Sequence, residues 1–366
     1  MPPESPTLSA IALKAGVAKS TVSMALRNHP RISKKQCLRI QKLAARMGYK
    51  SNALLGQLMH ELRRSRKQKY VATLAFVNAS RDPKIRANIS IVNDWLTGAE
   101  QRAEKLGYSL DHFWLHEPDI TPERLSKIMR ARNVQGVAFY ALDKDSHLQN
   151  YASLWQQLPS VTVGARHHAP SLHFVSNDHY STAFRACDQL WAHGYRRIGM
   201  FTENWIDDIL EHRFVGGYLA RQGPANNVPI LYITHESGIL QQSEPRHQQA
   251  FVEWMETHRP DALLCLSSYV LTWLKEMGLR VPQDIGVALL DLPKEMKGVA
   301  AGMEQNPLWT GMSAIDVLVG QILRRETGVP LFQQGTLIES LWTPGPTVKF
   351  QPGHGTASKR SPKTNR

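Results

Sequence analysis

With 366 residues, the chain is too long for one ordinary core, so two or three folding units are expected. Hydrophobic residues make up 42% and charged residues 20%, a globular balance that excludes a disordered or fibrous protein. The formal net charge of +13 is localised: the first 70 residues hold fifteen Lys and Arg against Glu4 and Glu61 alone, while the remaining 29 basic and 29 acidic side chains cancel. A cationic head on a neutral body points to a polyanion as partner, because Lys and Arg that neutralise phosphates release condensed counterions. No apolar run approaches the roughly 18 residues of a membrane span. The opening MPPESPTLSA lacks the basic-then-apolar pattern of a secretory signal, so a cytoplasmic protein without membrane contact is expected. Cys37, Cys187 and Cys265 lie far apart without metal-ligand spacing and read as reduced thiols; no metal and no cofactor are expected.

In chain order, the basic segment carries three helical stripes: Ile11, Ala12, Ala15 and Val17, then Val22, Ala25 and Leu26, then Ile40, Leu43, Ala44 and Met47. Gly16 falls between the first two, where a tight turn needs a residue tolerant of unusual backbone angles. Ser33 with Gln36 predicts a capping box for the third helix, and Gly48 predicts its end. Two short helices joined by about three residues, the second exposing small polar and basic side chains, predict a helix-turn-helix.

The stretch TLSAIALKAGVAKSTVSMALRNHPRISKKQCLRIQKLAARMGYKSNALLGQL resembles the head of the LacI/GalR family, with AGV, STVS, RIS and GYxxN in register. The resemblance implies that the second helix lies in the major groove of operator DNA. Carried over by position, Lys19, Ser20 and Met24 face base edges, and Thr21, Ser23 and Ser33 bond to phosphates, which set register but carry no sequence information. Lys19 suits guanine O6 and N7, and Met24 a thymine methyl. Asn52 matches a phosphate contact, and Leu58 matches a leucine that opens a minor-groove base step from a hinge helix. The chain departs from the family at several places. Ala18 replaces a capping serine, a loss of about 1 kcal/mol; Ala10 replaces an acidic residue, and Ser51 a proline. The hinge reads LLGQL, followed by a basic run of Arg63, Arg64, Arg66, Lys67 and Lys69.

Beyond the hinge the pattern changes. Apolar runs VATLAFV, YSLDHFWL, VQGVAFYA, SVTVG, RRIGMFT, ILYIT, ALLCL and IGVALLD alternate with amphipathic stretches such as 91–106, 181–193, 248–258 and 269–277. That alternation predicts an α/β body of doubly wound parallel sheets. A helix over about 312–325 and a strand GTLIESLW close it. The expected divisions are a head over 1–50, a hinge helix and basic linker over 51–70, a two-lobed body over 71–349 and a disordered basic tail over 350–366.

The family resemblance continues through GAEQRAEKLGY, VQGVAF, HGYRRIGMF, RPDALLCL, GLRVPQDIGVALLD and GMEQNP. It implies a type I periplasmic-binding-protein-like body, with lobes of 71–175 plus 305–332 and 176–304 plus 333–349. The ligand would sit outside the carboxyl ends of the strands. Arg213 and Asp291 match family residues that reach the effector, a guanidinium fork and a carboxylate suited to hydroxyls; Gln305 is a third candidate. Ser267 and Ser268 stand where the family has asparagine and aspartate. Trp205 reads as a core residue with a possible sugar-stacking role, and Asp178 as structural or a relay between lobes.

The function implied is a ligand-responsive, sequence-specific transcription regulator, a repressor, whose operator affinity is set by a small molecule, a sugar or derivative, in the cleft. It would act as a homodimer on near-palindromic half-sites. Two other readings stay open: a ligand-independent DNA binder with a vestigial cleft, and a solute-binding protein. No GxxxxGK[ST] loop, GxSxG elbow or HExxH pair supports an enzyme.

Overall fold

The three stripes of the basic segment become three helices, α1 (Leu8–Ala15), α2 (Lys19–Leu26) and α3 (Lys34–Arg46). The structure is a computed structural model, and it describes residues 8–26, 32–47, 72–142, 146–222, 227–234 and 245–349. Chain contacts divide it between Lys69 and Tyr70 into two units, the head and the body. In the head, Ile11, Val22 and Ile40 are fully buried and pack with Ala12, Ala25, Cys37 and Ala44. Each such aliphatic side chain contributes about 1.5–3 kcal/mol. Gly16 takes φ 66° in the turn between α1 and α2, the left-handed conformation that glycine adopts without strain. Ser33 Oγ accepts from the Gln36 N–H at 3.3 Å, so the predicted cap of α3 is present. From α3, Arg39 Nη2 donates to the Ala15 carbonyl at 2.9 Å and Gln41 Nε2 to the Ala25 carbonyl at 3.1 Å. Each bond satisfies a carbonyl that its own helix leaves open, and so locks the angles among the three helices.

The body holds twelve strands among its described residues. The first sheet has the order β11-β5-β4-β3-β1-β2, with β1 (Ala72–Asn78), β2 (Tyr108–Trp114), β3 (Val134–Tyr140), β4 (Ser160–Val163), β5 (His173–Asn177) and β11 (Gly335–Ile338). The second has the order β12-β10-β9-β8-β6-β7, with β6 (Ile198–Glu203), β7 (Leu231–Ile233), β8 (Ala262–Cys265), β9 (Gly286–Leu289), β10 (Ala301–Glu304) and β12 (Leu341–Thr343). All pairings are parallel except β10 with β12. Parallel strands need helical crossovers, which cover both sheet faces and force the strands to be apolar on both sides. In β1, Leu74 and Phe76 join the core beneath α4 (Ser90–Lys105) and α10 (Pro307–Arg324), while Ala75 and Val77 face α5 (Pro122–Ala131). Where α4 and α10 cross, a Cβ on Gly311 would lie 1.9 Å from the Trp95 carbonyl oxygen, and one on Gly98 2.0 Å from that of Leu308. The two helices therefore meet backbone to backbone.

The second sheet is sandwiched in the same way. On one face lie α6 (His179–Ala192) and α7 (Arg213–Arg221), on the other α8 (Pro245–His258) and α9 (Val270–Glu276). Trp273 centres an aromatic cluster, with ring centroids 4.6 Å from Tyr269, 5.2 Å from Phe251 and 6.0 Å from Phe201. Burial pushes the Cys187 and Cys265 thiols up to about 12, with the Asp188 charge adding to it at Cys187, so both remain protonated.

The chain passes between the lobes three times: at Asp178, at Gln305–Asn306 and at Glu339–Ser340. Two expected lobe boundaries are corrected here. GTLIESLW is not one strand: its first half is β11, which runs parallel to β5 from Gly335↔Phe174 to Ile338↔Asn177. Its second half is β12, antiparallel to β10 in the other sheet. The third passage thus falls at 339–340 rather than 332–333. The first follows Asn177 rather than Val175, because HFVSN forms the edge-side partner of β4.

Candidate DNA-reading head and ligand cleft

On α2, Val22 and Ala25 turn into the head core, which leaves Lys19 and Ser20 exposed in the first turn. Ser20 and Met24 are four residues apart and share one side of the helix, with Met24 and Thr21 half-buried. Ser23 also lies on α2. Ala18, before the helix, offers its carbonyl to the Val22 N–H at 3.1 Å but no side-chain cap. Ser33 is exposed at the start of α3. Its capping bond uses one lone pair, so the hydroxyl hydrogen remains free for an acceptor such as a phosphate oxygen. Asn52, Leu58 and the basic run from Arg63 to Lys69 lie outside the described residues.

In the body, the carboxyl ends of the strands carry the polar groups. Glu203 ends β6 and is buried; its carboxylate accepts from Trp205 Nε1 at 2.9 Å, Ser267 Oγ at 3.0 Å and Tyr269 OH at 3.4 Å. Trp205 is therefore not a core residue as expected: it is half-buried in the first turn after β6, tied by its ring nitrogen. Ser267, which replaces the family amide, serves Glu203 instead. The Tyr269 hydroxyl is held well above its ordinary range by burial and by the Glu203 charge, so it stays a donor.

Asp291 follows β9, and among the described residues its carboxyl accepts no hydrogen bond. Burial pushes it up to about 7, and the like charge of Asp94 on α4 of the first lobe adds to this. Asp94 itself pairs across the lobes with Lys294 Nζ at 2.8 Å. Gln305 is buried, and its Nε2 donates to the Leu290 carbonyl at 2.9 Å, which places it beside the chain entering Asp291. Arg213 begins α7 and pairs with Glu211 at 3.1 Å. No hydrogen bond or ion pair joins Arg213 to Asp291 among the described residues. On the first lobe, an open depression of about 570 Å³ at the carboxyl end of β1 is lined by Lys84, Arg86, Ser90 and Asn93.

A buried polar knot binds the three passages between lobes. Asn177 Nδ2 donates to the Ile338 carbonyl and Ser340 Oγ, both at 2.9 Å, and to the Gln305 carbonyl at 3.3 Å. Its Oδ1 accepts from Thr182 Oγ1 at 2.9 Å, and Thr182 meets Ser340 Oγ at 2.7 Å. Asp178 caps α6 by accepting the Ser181 N–H at 3.1 Å, and Asn306 Nδ2 donates to the Glu339 carbonyl at 2.9 Å. Sequence reasoning singled out Asp178 in VSNDH but missed its neighbour Asn177, which makes the knot. It also missed Glu203 and Glu211, isolated carboxylates without a motif.

A three-helix cationic head joined to a two-lobed, doubly wound body defines a class of protein: a DNA-binding transcription regulator that responds to a small molecule. Residues 7–52 match the model of the bacterial regulatory proteins of the lacI family, and residues 187–339 that of the periplasmic binding protein-like domain. The chain belongs to the LacI family. It is 24% identical over 306 residues to the HTH-type transcriptional regulator KdgR of Bacillus subtilis (strain 168), covering 81% of this chain and 84% of that one. To the HTH-type transcriptional repressor CytR of Escherichia coli (strain K12) it is 25% identical over 293 residues, covering 78% and 80%. Among solved structures, the fold matches the transcriptional regulator CelR in its cellobiose complex with a TM-score of 0.58 at 19% identity, covering 93% and 99%. It matches the lac repressor dimer bound to operator and the anti-inducer ONPF with a TM-score of 0.56 at 17% identity, covering 94% and 100%. These relatives are regulators, not enzymes. Among the described residues, no helix is long and apolar enough to cross a membrane, and no group of three or more His, Cys, Asp or Glu is placed to hold a metal.

Proposed function

We propose that this regulator is a repressor, that it works in the cytoplasm as a homodimer, and that a sugar or sugar derivative in the cleft between the lobes sets its affinity for a two-fold symmetric operator. The observation that carries the ligand reading is Asp291: a half-buried carboxyl at the end of β9, without a hydrogen bond, within reach of the Asp94 charge on the opposite lobe. A carboxyl of that kind has no protein partner and is open to donors from a ligand, and sugar hydroxyls are such donors. Arg213 and Gln305 contact the same ligand in this reading. CytR is a repressor by name, and the CelR structure holds cellobiose, which supports repression and a sugar respectively.

In the head, 1–50, Lys19, Ser20 and Met24 read bases while Thr21, Ser23, Ser33 and Asn52 hold phosphates. Residues 51–70 form the hinge, in which Leu58 wedges the minor groove and the basic run adds phosphate contacts. The body, 71–349, binds ligand and pairs with a second copy; 350–366 is a tail. Ligand changes operator affinity because it binds one lobe arrangement better than the other, a coupling of typically about 1–3 kcal/mol.

The test is selection of bound sequences from a random DNA pool, with and without a panel of sugars and nucleosides. A two-fold symmetric site is expected, with retention changed about 5- to 150-fold by one ligand of the panel and that response lost in Asp291→Asn. A sequence-blind or asymmetric result contradicts the dimer, and a response that survives Asp291→Asn contradicts the assignment of the ligand contact.

A further inference from the structure

Between the short helix Asn204–Ile209 and α7, two successive residues, Glu211 (φ 54°) and His212 (φ 56°), adopt the left-handed conformation although neither is glycine. Such backbone persists only where the surroundings compensate, and it clusters at binding sites and switches. The compensation at Glu211 is electrostatic. Its Oε2 accepts from Arg213 Nη2 at 3.1 Å and Nε at 3.4 Å, and lies 3.8 Å from Arg166 Nη1; its Oε1 takes a short contact from His168 Nε2. Arg166 and His168 belong to the loop after β4 in the first lobe, whereas Glu211 and Arg213 belong to the second. Burial alone would raise the Glu211 carboxyl, but the bonds from His168 and Arg213 and the charge of Arg166 outweigh it and hold it below the usual carboxylate range.

Three nitrogen bases from two lobes thus converge on one carboxylate of the same chain. Behind them lies a cavity of about 10 Å³, room for about one water, bordered by Ser176, Phe174, Leu337 and His179. His179, which borders this space, is 6% exposed, and its Nδ1 is buried without a hydrogen-bond partner. A neutral sugar needs no such surplus of donors. An acidic one does, since a carboxylate or phosphate takes charge-assisted bonds from several guanidinium groups at once.

We propose that Glu211 stands in for the acidic group of the effector, and that the effector is a sugar acid or sugar phosphate whose anionic group displaces Glu211 from Arg213, Arg166 and His168. The proposal rests on Arg213 as an effector contact and narrows the ligand class. Displacement frees the two left-handed residues to relax, which offsets part of the cost of breaking the cluster.

The experiment measures melting midpoints of the 366-residue chain across concentrations of glucuronate, glucose 6-phosphate and glucose at matched ionic strength. The variants are Glu211→Gln, which keeps the shape, and Glu211→Gly, which also relieves the strain of the positive φ at 211. Both are expected to bind one of the two acids at least about tenfold more tightly than the parent chain, as for release of one competing charge-assisted bond, with glucose unchanged. Which acid gains identifies a carboxylate or a phosphate. No gain for either acid in both variants overturns the proposal. If glucose then shifts the parent midpoint and loses that shift in Arg213→Ala, the cleft and its arginine stand while the acidic ligand does not.

Discussion

Asn177→Leu is expected to destabilise the body by about 3–5 kcal/mol, read as a lowered urea midpoint. Leucine keeps the branched shape of asparagine without its polar atoms, so the loss combines the missing hydrogen bonds with a smaller cost for the bulkier methyl groups. It strands the Gln305 carbonyl, takes one of two donors from the Ile338 carbonyl, which keeps the Asp178 N–H, and removes one partner each from the Thr182 and Ser340 hydroxyls, all at a site where Asn177 is 5% exposed. Each buried polar group left without a partner costs about 1–3 kcal/mol, and the Thr182–Ser340 contact keeps the total below the simple sum. Arg185→Ala is the control. It deletes an exposed ion pair with Glu339 at the same passage and is expected to cost less than about 1 kcal/mol. Equal effects of the two substitutions would show that the knot does not organise the passage between lobes. The knot matters for function because a hinge of three strands can rotate one lobe on the other without opening only if its own bonds persist.

The second large effect is pH-dependent. Burial, with the Arg213 charge acting in the same direction, pushes the His179 imidazole down to about 3. In the unfolded chain a histidine titrates near about 6.5, so below that pH the unfolded state binds the extra proton. The stability that depends on neutral His179 is therefore complete above about pH 6.5 and is lost as the pH falls toward about 3, on the order of 5 kcal/mol in all and about 2 kcal/mol by pH 5. Asp291 has the opposite sign. Raised to about 7, it binds a proton more readily in the folded state and gains stability over part of the same range. In the parent chain these two contributions oppose each other, so its profile alone isolates neither. The measurable quantity is the difference from His179→Gln: relative to the parent, that variant should gain about 2 kcal/mol between pH 7 and pH 5 by urea unfolding. Parallel pH profiles would mean that His179 is hydrated and titrates normally.

The head was the most legible part of the sequence because its signals are local. A cap, a turn glycine and three stripes lie within forty residues, and Ser33, Gly16, Ile11, Val22 and Ile40 all took the places those signals implied. Strands buried on both faces were legible for the same reason, as in VATLAFV and IGVALLD, where a continuous apolar run has one structural use. HFVSN was not recognised as β5, since His173, Ser176 and Asn177 break the run; their polar groups are satisfied by Gly164, Gln305, Gln334, Ile338 and Ser340 from other segments and by Thr182 on α6. AGME was too short to register as β10. GTLIESLW read as one strand because its hydropathy is continuous, and nothing local marks the change of sheet at Glu339–Ser340.

The cleft was least legible. Arg213 was identified from its position in the family pattern, but its partner Glu211 carries no motif, and the contact of Glu211 with His168 spans 43 residues. The pairing of Lys294 with Asp94 spans 200. Ion pairs at such separation leave no periodicity to read. The substitution of Ser267 for an amide was visible, but its consequence, a hydroxyl committed to Glu203, required the fold.

In the proposed function, residues 1–69 hold the duplex and the body sets how firmly. The direct measurement is the affinity of the 366-residue chain and of a form lacking residues 1–69 for the selected DNA site, at about 0.15 M salt, with the melting midpoint of the truncated form confirming that its body is folded. Loss of at least a thousandfold in affinity, about 4 kcal/mol, is expected on removing the head. Undiminished binding by the folded, headless body would contradict the account.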